Sequence, residues 1–306
     1  IAIFFTLVNF VVKNVGYVFV ALQQYAMYEL LLVLGNLLAL VVIWILTMTT
    51  SGTLLFAVLA YTASPVLVFI VAAIPVFVRH PQLRPSWKSV DNGLLNKIIG
   101  KGLGFFIIQM TSVLVILSSA NFIISNACGP DAVTVYNIPY KYFHQLVTAL
   151  IVIVSPLWNA YTDAVVKNDW AWIKKSYRRT LTFSLLLSVV GLIMLAFSKV
   201  FYHLWVGDRV VVPWTVSFCV YIYICMFNLN ISATYLINGF NKIRIQIIVS
   251  VILTIIYVAV VQIFKKQLGL EGIILSMAAC FAIMAAIHMY QCELLIHQKA
   301  RGIWNK

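Results

Sequence analysis

The chain has 306 residues, of which 63% are apolar and 9% charged, with a mean hydropathy of +1.01 and a formal net charge of +13. A soluble globular domain carries about a quarter charged residues and roughly half apolar ones, so this composition excludes soluble enzymes, secreted disulfide scaffolds and nucleic-acid-binding domains. It is that of an all-α polytopic membrane protein, and the basic excess has to be read by position.

A helix needs about 20 mostly apolar residues to cross the hydrocarbon core, with short polar or Gly/Pro clusters between crossings. Nine segments meet this requirement, at about 1–22, 29–48, 53–78, 102–125, 133–159, 180–204, 211–238, 245–264 and 271–296. No alternating pattern of about ten residues, as in an outer-membrane barrel, recurs between turns, so all nine are predicted as helices. The first opens at Ile1 with no charged segment or small-residue cleavage site ahead of it. That predicts a fragment with further chain upstream, not a signal peptide.

Cytoplasmic loops carry the excess of Lys and Arg. The connection after the third span holds Arg79, Arg84, Lys88, Lys97 and Lys101, and the one after the fifth holds Lys167, Lys174, Lys175, Arg178 and Arg179. With Lys242 and Arg244 after the seventh span and Lys299, Arg301 and Lys306 in the tail, 15 of the 21 basic residues fall on one side. The opposite connections hold only Asp131, Asp208 with Arg209, and the pair Lys265 and Lys266. This asymmetry predicts a cytoplasmic C-terminus and explains the basic pI through anionic lipid headgroups.

The longest polar stretch contains Pro81, Pro85, Trp87, Asp91 and Gly93 and separates three spans from six. The predicted organisation is a remainder of an N-terminal helical bundle at 1–78, a cytoplasmic linker at 79–101, a C-terminal six-helix bundle at 102–296 and a cytoplasmic tail at 297–306. Counting alone then implies an original pair of six-helix bundles lacking three N-terminal spans.

Ionised side chains within spans are costly and usually face a bundle interior or a wet cavity. Lys13 shares one helical face with Thr6, Asn9, Gly16 and Tyr17. Lys141 shares another with Asn137, His144 and Thr148, flanked by Tyr136, Tyr140 and Gln145. Lysines near helix ends can instead reach the headgroup layer. Lys13 is too central for that to be comfortable, while for Lys141 both readings stay open. His144 alone is more often a satisfied interior histidine than a proton carrier. Pro139 and Pro156 either bend the helix or mark a break near a binding site.

The seventh span adds Tyr221, Cys225, Asn228, Ser232 and Tyr235 on one face, and the fourth offers Gln109, Ser112, Ser118, Ser119 and Asn121. Interhelical hydrogen bonding accounts for about half of these. The sharper reading is a water-filled chamber of amides, hydroxyls, aromatics and two cations, suited to an anionic, sugar-bearing ligand. Its candidate lining is Lys13, Asn9, Lys141, Asn137, Tyr140, His144, Asn121 and Asn228.

Of the five cysteines, Cys219, Cys225, Cys280 and Cys292 lie in long apolar segments and Cys128 between them, without any CxxC pair, so they read as small buried side chains. No HExxH, GxSxG, Walker loop or paired carboxylates occur, and the eight acids sit mostly at span ends or in loops. Neither enzymatic activity nor a metal or other cofactor is expected, so uphill transport would draw on a proton or sodium gradient, a membrane potential or a partner.

The stretch NFIISNACGPDAVTVYNIPYKY from Asn121 to Tyr142, followed by SPLWNAYTDAVVKNDWAWIKKSYRR from Ser155 to Arg179, resembles the polysaccharide and O-antigen flippases of the MATE-like (MOP) exporter superfamily. YLINGFNKIRIQ from Tyr235 to Gln246 and LGLEGIILSM from Leu268 to Met277 are similar to that family's late helices. The resemblance implies a two-bundle transporter of the bacterial inner membrane. It would carry an undecaprenyl-diphosphate-type lipid-linked oligosaccharide, a unit of O-antigen lipopolysaccharide or capsule, to the outer leaflet by alternating access, alongside the polysaccharide polymerase machinery. It also implies a cationic central cavity, a role that falls to Lys13 and Lys141. Two alternatives remain open: a multidrug or cation exporter of the same superfamily, which predicts acidic intramembrane residues, and a membrane enzyme of glycan assembly such as a polymerase, which predicts a reactive outer-face constellation.

Overall fold

The computed structural model describes residues 2–49, 53–86, 91–108, 110, 120–207 and 210–305. They form two compact units, Ile1–Asn92 and Gly93–Lys306, with the division inside the stretch expected to be a linker.

The first unit contains α1 (Ala2–Val12), α2 (Asn14–Ala21), α3 (Tyr25–Thr49) and α4 (Leu54–Arg79), followed by a 3-10 turn at Pro81–Leu83. Leu31, Gly35 and Ala39 are the buried residues of α3, spaced one turn apart, and this mostly small-residue stripe lets α3 approach α4. Leu30, Val33, Leu37, Leu40, Val41 and Trp44 of the same helix are exposed, as expected of a face solvated by lipid tails. Pro65 and Pro75 lie inside α4 without ending it.

The second unit contains α5 (Asn92–Ile108), α6 (Ala120–Cys128), α7 (Pro130–Val166), α8 (Trp170–Val206), α9 (Trp214–Phe240) and α10 (Arg244–Ile296), with a 3-10 turn at Gly302–Asn305. Helix α10 is kinked at Gly269, at φ +61°, and it contains two stretches each long enough to count as a span, Arg244–Phe264 and Gln267–Ile296. Helix α9 is the axis of this unit, packed against α7, α8 and α10. Its most apolar stretch is 67% buried, against 28% for α8, so its surroundings are mainly the other helices of this unit. A helix walled by protein tolerates polar side chains, and Ser217, Asn228, Asn230, Ser232 and Asn238 of α9 are all buried.

Among the described residues, eight helices are long and apolar enough to cross a membrane, and there are no strands. Eight of the nine expected spans correspond to them. The fourth, 102–125, is described only through α5, Met110 and α6, so Gln109, Ser112, Ser118 and Ser119 lie outside the described residues, as do Trp87, Lys88, Asp208, Arg209 and Lys306.

Helices α7 and α8 extend beyond the predicted 133–159 and 180–204, each reaching 37 residues. At about 1.5 Å per residue this is about 55 Å, far more than the roughly 30 Å of hydrocarbon. Charged residues that end an apolar run need not end a helix. The Lys167 ammonium lies 2.7 Å from the Asp163 carboxylate one turn earlier, and Asp169 caps α8 by accepting from the Trp172 backbone N–H at 3.0 Å.

Candidate polar site in the membrane

In the first unit the helical run is interrupted at Lys13. The Lys13 N–H still donates to the Asn9 carbonyl at 2.8 Å, but the Gly16 N–H turns to the Lys13 carbonyl at 2.9 Å, which tightens the turn. Asn14 contributes by donating from Nδ2 to the Phe10 and Val11 carbonyls at 3.3 and 3.0 Å, a side chain competing for helix carbonyls. Gly16 then lies flush against the Tyr28 ring, where any Cβ would collide.

At this break opens a pocket of about 220 Å³. Thr6, Asn9 and Lys13 form one wall, Leu32 and Asn36 of α3 the second, and Tyr61, Thr62, Pro65 and Phe69 of α4 the third. Two of the expected site residues, Asn9 and Lys13, therefore line one cavity. The Lys13 ammonium stands 5.9 Å from the centre of the Tyr28 ring, within cation–π range, and Tyr28 stacks on Tyr17 at 5.7 Å. The Asn9 Oδ1 is buried without a partner. No acidic side chain is among the pocket's lining residues.

The pocket, of about 220 Å³, has room for a phosphate or one sugar ring. Its chemistry is one cation, two amides and hydroxyls on an aromatic floor.

In the second unit, α7 begins after Gly129, whose φ of +91° makes the turn, with Pro130 in the first turn of the helix. This start brings α6 alongside, and Asn137 Nδ2 donates to Asn121 Oδ1 at 3.0 Å. The Tyr136 and Tyr140 rings stack at 5.5 Å, Tyr140 meets the His144 ring at 5.2 Å, and Tyr223 of α9 lies 6.4 Å from Tyr140. Much of the polar stripe bonds back to its own helix: Gln145 donates to the Lys141 carbonyl and Thr148 to the His144 carbonyl. Lys141 itself is exposed on α7. Asn228, by contrast, is sealed at 1% exposure with its Oδ1 unpartnered. Tyr221 donates to the Ser188 carbonyl of α8 at 3.0 Å, the interhelical bonding expected of that face.

Four cysteines, Cys219, Cys225, Cys280 and Cys292, are buried and Cys128 is exposed, all as free thiols. Among the described residues no group of three or more His, Cys, Asp or Glu side chains could hold a metal.

The sequence reading passed over one polar pair. His288 of α10 and Asn230 of α9, both buried, are joined Nδ1 to Oδ1 at 2.8 Å. The signal was a lone histidine inside an apolar run that otherwise needed no explanation. Earlier in α10, on the other side of the Gly269 kink, Gln246, Thr254 and Tyr257 carry buried oxygens without partners.

No protein-family model and no curated protein sequence matches the chain. Its fold, however, is that of solved MATE structures. A crystal structure of a mutant MATE protein superposes with a TM-score of 0.79 at 17% identity, covering 95% of this chain and 67% of that one. A multidrug resistance MATE family transporter of the MOP superfamily, in an outward-facing conformation, gives 0.74 at 16% identity over 90% of this chain and 64% of the other. The inward-facing conformation of such a transporter gives 0.67 at 16% identity over 95% and 69%. The chain thus spans about two thirds of the length of these structures.

Proposed function

We propose that the chain is part of an alternating-access membrane transporter whose cargo is an anionic, sugar-bearing amphiphile, a lipid-diphosphate-linked oligosaccharide carried from the cytoplasmic to the outer leaflet. The likeness to MATE structures supports a transporter rather than an enzyme of glycan assembly. The observation that favours this cargo is the pocket at Lys13, where a cation, the Asn9 and Asn36 amides and the Thr6 and Thr62 hydroxyls converge without an acid among the lining residues.

An ammonium at this depth is costly unless an anion or a dipole meets it, and a phosphate oxygen meets both the charge and the amide donors. Lys141, exposed on α7 beside the Asn137 amide and the Tyr140 ring, supplies a second cation of the same kind. The coupling ion, a proton or sodium, is left to experiment.

A second reading, a multidrug exporter, is favoured by the neighbours described as multidrug resistance transporters. Cationic drugs call for acidic groups within the spans. Of the described acids, Glu29, Asp91, Asp131, Asp169 and Glu293 are exposed, Asp163 is paired with Lys167 near the end of α7, and Glu271 accepts from Thr215 at 2.9 Å.

Both readings meet one experiment: expression of the gene in a bacterium deleted for its own flippase, scoring surface glycan, the internal pool of lipid-linked precursor and drug tolerance. The proposal expects surface glycan restored and the precursor pool drained, with both effects lost in Lys13→Gln and Lys141→Gln proteins that still insert. Normal glycan in the double variant would remove the two lysines from the site. Drug tolerance without glycan would transfer the assignment to the exporter.

A further inference from the structure

Between α7 and α8 lies a groove of about 580 Å³ that the transport reading does not use. Its α8 wall carries Lys175, Arg179, Phe183 and Leu186, and its α7 wall Ile153 and Leu157. We propose that this groove is a binding site for one anionic bilayer phospholipid, its phosphodiester held by Lys175 and Arg179 and an acyl chain lying along the apolar floor.

The argument starts from register. Lys175, Arg179, Thr182 and Leu186 follow at i, i+4, i+7 and i+11, so they form a single stripe, running about 16 Å along the helix from charge to hydrocarbon. The stripe is graded: two cations, then hydroxyls, then Phe183 and Leu186. Helix α8 is about 25 Å longer than the hydrocarbon is thick, and its long charge-free run starts after Arg179. That places Lys175 and Arg179 at headgroup depth and Leu186 and Ile153 at acyl depth. Trp172, at the rim, is the residue type that prefers this boundary.

Among the described residues neither cation has an ion-pair partner. Asp163 is held by Lys167 at 2.7 Å and Asp169 by the cap of α8, and these are the acids at this turn. Lys175 and Arg179 are both exposed, so the anion they attract comes from outside the protein. A free phosphate would use the two cations and make no use of the apolar floor at Phe183, Leu186, Ile153 and Leu157. A zwitterionic lipid would use the floor and gain little from the cations. An anionic phospholipid uses both ends.

The test is native mass spectrometry of the purified full chain in micelles containing equal amounts of phosphatidylglycerol and phosphatidylcholine. The expected result is a retained phosphatidylglycerol adduct over phosphatidylcholine. Its affinity should fall about 25-fold in the Lys175→Gln, Arg179→Gln double variant, at about fivefold per basic residue near an anionic surface. The charge-conserving pair Lys175→Arg, Arg179→Lys should keep the adduct, and Lys299→Gln with Arg301→Gln in the tail should not change it. Phosphatidylglycerol with a brominated acyl chain should quench wild-type fluorescence more than that of Trp172→Phe. Equal retention of the two lipids, or a wild-type adduct in the double variant, would overturn the proposal. So would displacement of the lipid by millimolar inorganic phosphate, which would make the site one for a free anion. Displacement by an equimolar isoprenoid diphosphate would make the groove a cargo entrance instead.

Discussion

The His288–Asn230 pair provides a direct test of how polar burial in the second unit is supported. The amide Oδ1 of Asn230 can only accept, so Nδ1 of His288 carries the proton of the 2.8 Å bond. His288 is 1% exposed and Asn230 8%, so no bulk water replaces either partner. Interhelical side-chain hydrogen bonds in membranes are worth about 0.6 kcal/mol on average and at most about 1.7 kcal/mol. A buried polar group deprived of its partner costs about 1 to 3 kcal/mol. Asn230→Leu should therefore destabilise by roughly 1.5 to 3 kcal/mol, because the imidazole N–H is left buried and alone. His288→Leu should cost a similar amount by stranding the amide. In the double variant both polar groups are gone, and its cost should be lower than the sum of the single costs by about 1 to 1.5 kcal/mol. Unfolding in mixed micelles, followed by tryptophan fluorescence, measures all three. Additivity within about 0.3 kcal/mol would mean that the two groups do not depend on each other, and the account of this interface would be wrong.

Further outcomes follow from local geometry. A Cβ at Gly239 would lie 2.5 Å from the Tyr161 Cβ and 3.1 Å from the Trp158 carbonyl, atoms that no rotamer moves, so Gly239→Ala should cost about 1 to 3 kcal/mol in the same unfolding assay. Gly100→Ala, with nothing within 4 Å, should be neutral or slightly stabilising. A membrane-impermeant maleimide should label the exposed Cys128 from the outer face of intact cells, and labelling from the cytoplasmic face alone would reverse the predicted orientation. Burial and, second, the Glu271 carboxylate push this thiol up, so less thiolate is present at neutral pH and labelling should accelerate as pH rises. Gln291 donates to the Lys242 and Trp304 carbonyls at 3.0 and 3.3 Å, holding the tail against the α9–α10 turn. Gln291→Leu should raise tryptic cleavage after Arg301 about three- to tenfold, and an unchanged rate would show that the latch is not closed in solution.

The parts legible in the sequence were those governed by the bilayer. Apolar length located the spans because lipid offers the backbone no hydrogen bonds, and eight helices of the required kind stand where they were expected. Polar periodicity located Asn9 beside Lys13 in one pocket wall, because residues three or four apart share a face in any helix. The pairing of Asn137 with Asn121 was not in the periodicity. It depends on the turn at Gly129, which folds α6 back against α7. The break at Lys13 was equally hidden, since no proline marks it and both the Asn14 bonds to the Phe10 and Val11 carbonyls and the Gly16 N–H bond to the Lys13 carbonyl take part in it. Lys175 and Arg179 were legible as charge but were assigned to a connection. Only the length of α8 shows them two turns inside a helix, where they line a groove.

These placements bear on selectivity. A pocket of about 220 Å³ with one ammonium can grip a phosphate or one sugar ring, and the rest of a cargo would have to lie beyond it. If the transport reading holds, Lys13 therefore recognises what all lipid-linked oligosaccharides share, the charged link between lipid and sugar, while it is blind to the distal sugars. Lys13→Gln should then impair transport of unrelated glycans to a similar degree, whereas changes among the aromatic faces of α7, at Tyr140 or His144, should alter which glycans are carried. Measuring precursor accumulation for two chemically different repeat units in each variant separates the two roles. A Lys13 variant that failed with one glycan and not the other would place sugar discrimination, and not diphosphate binding, at the break between α1 and α2.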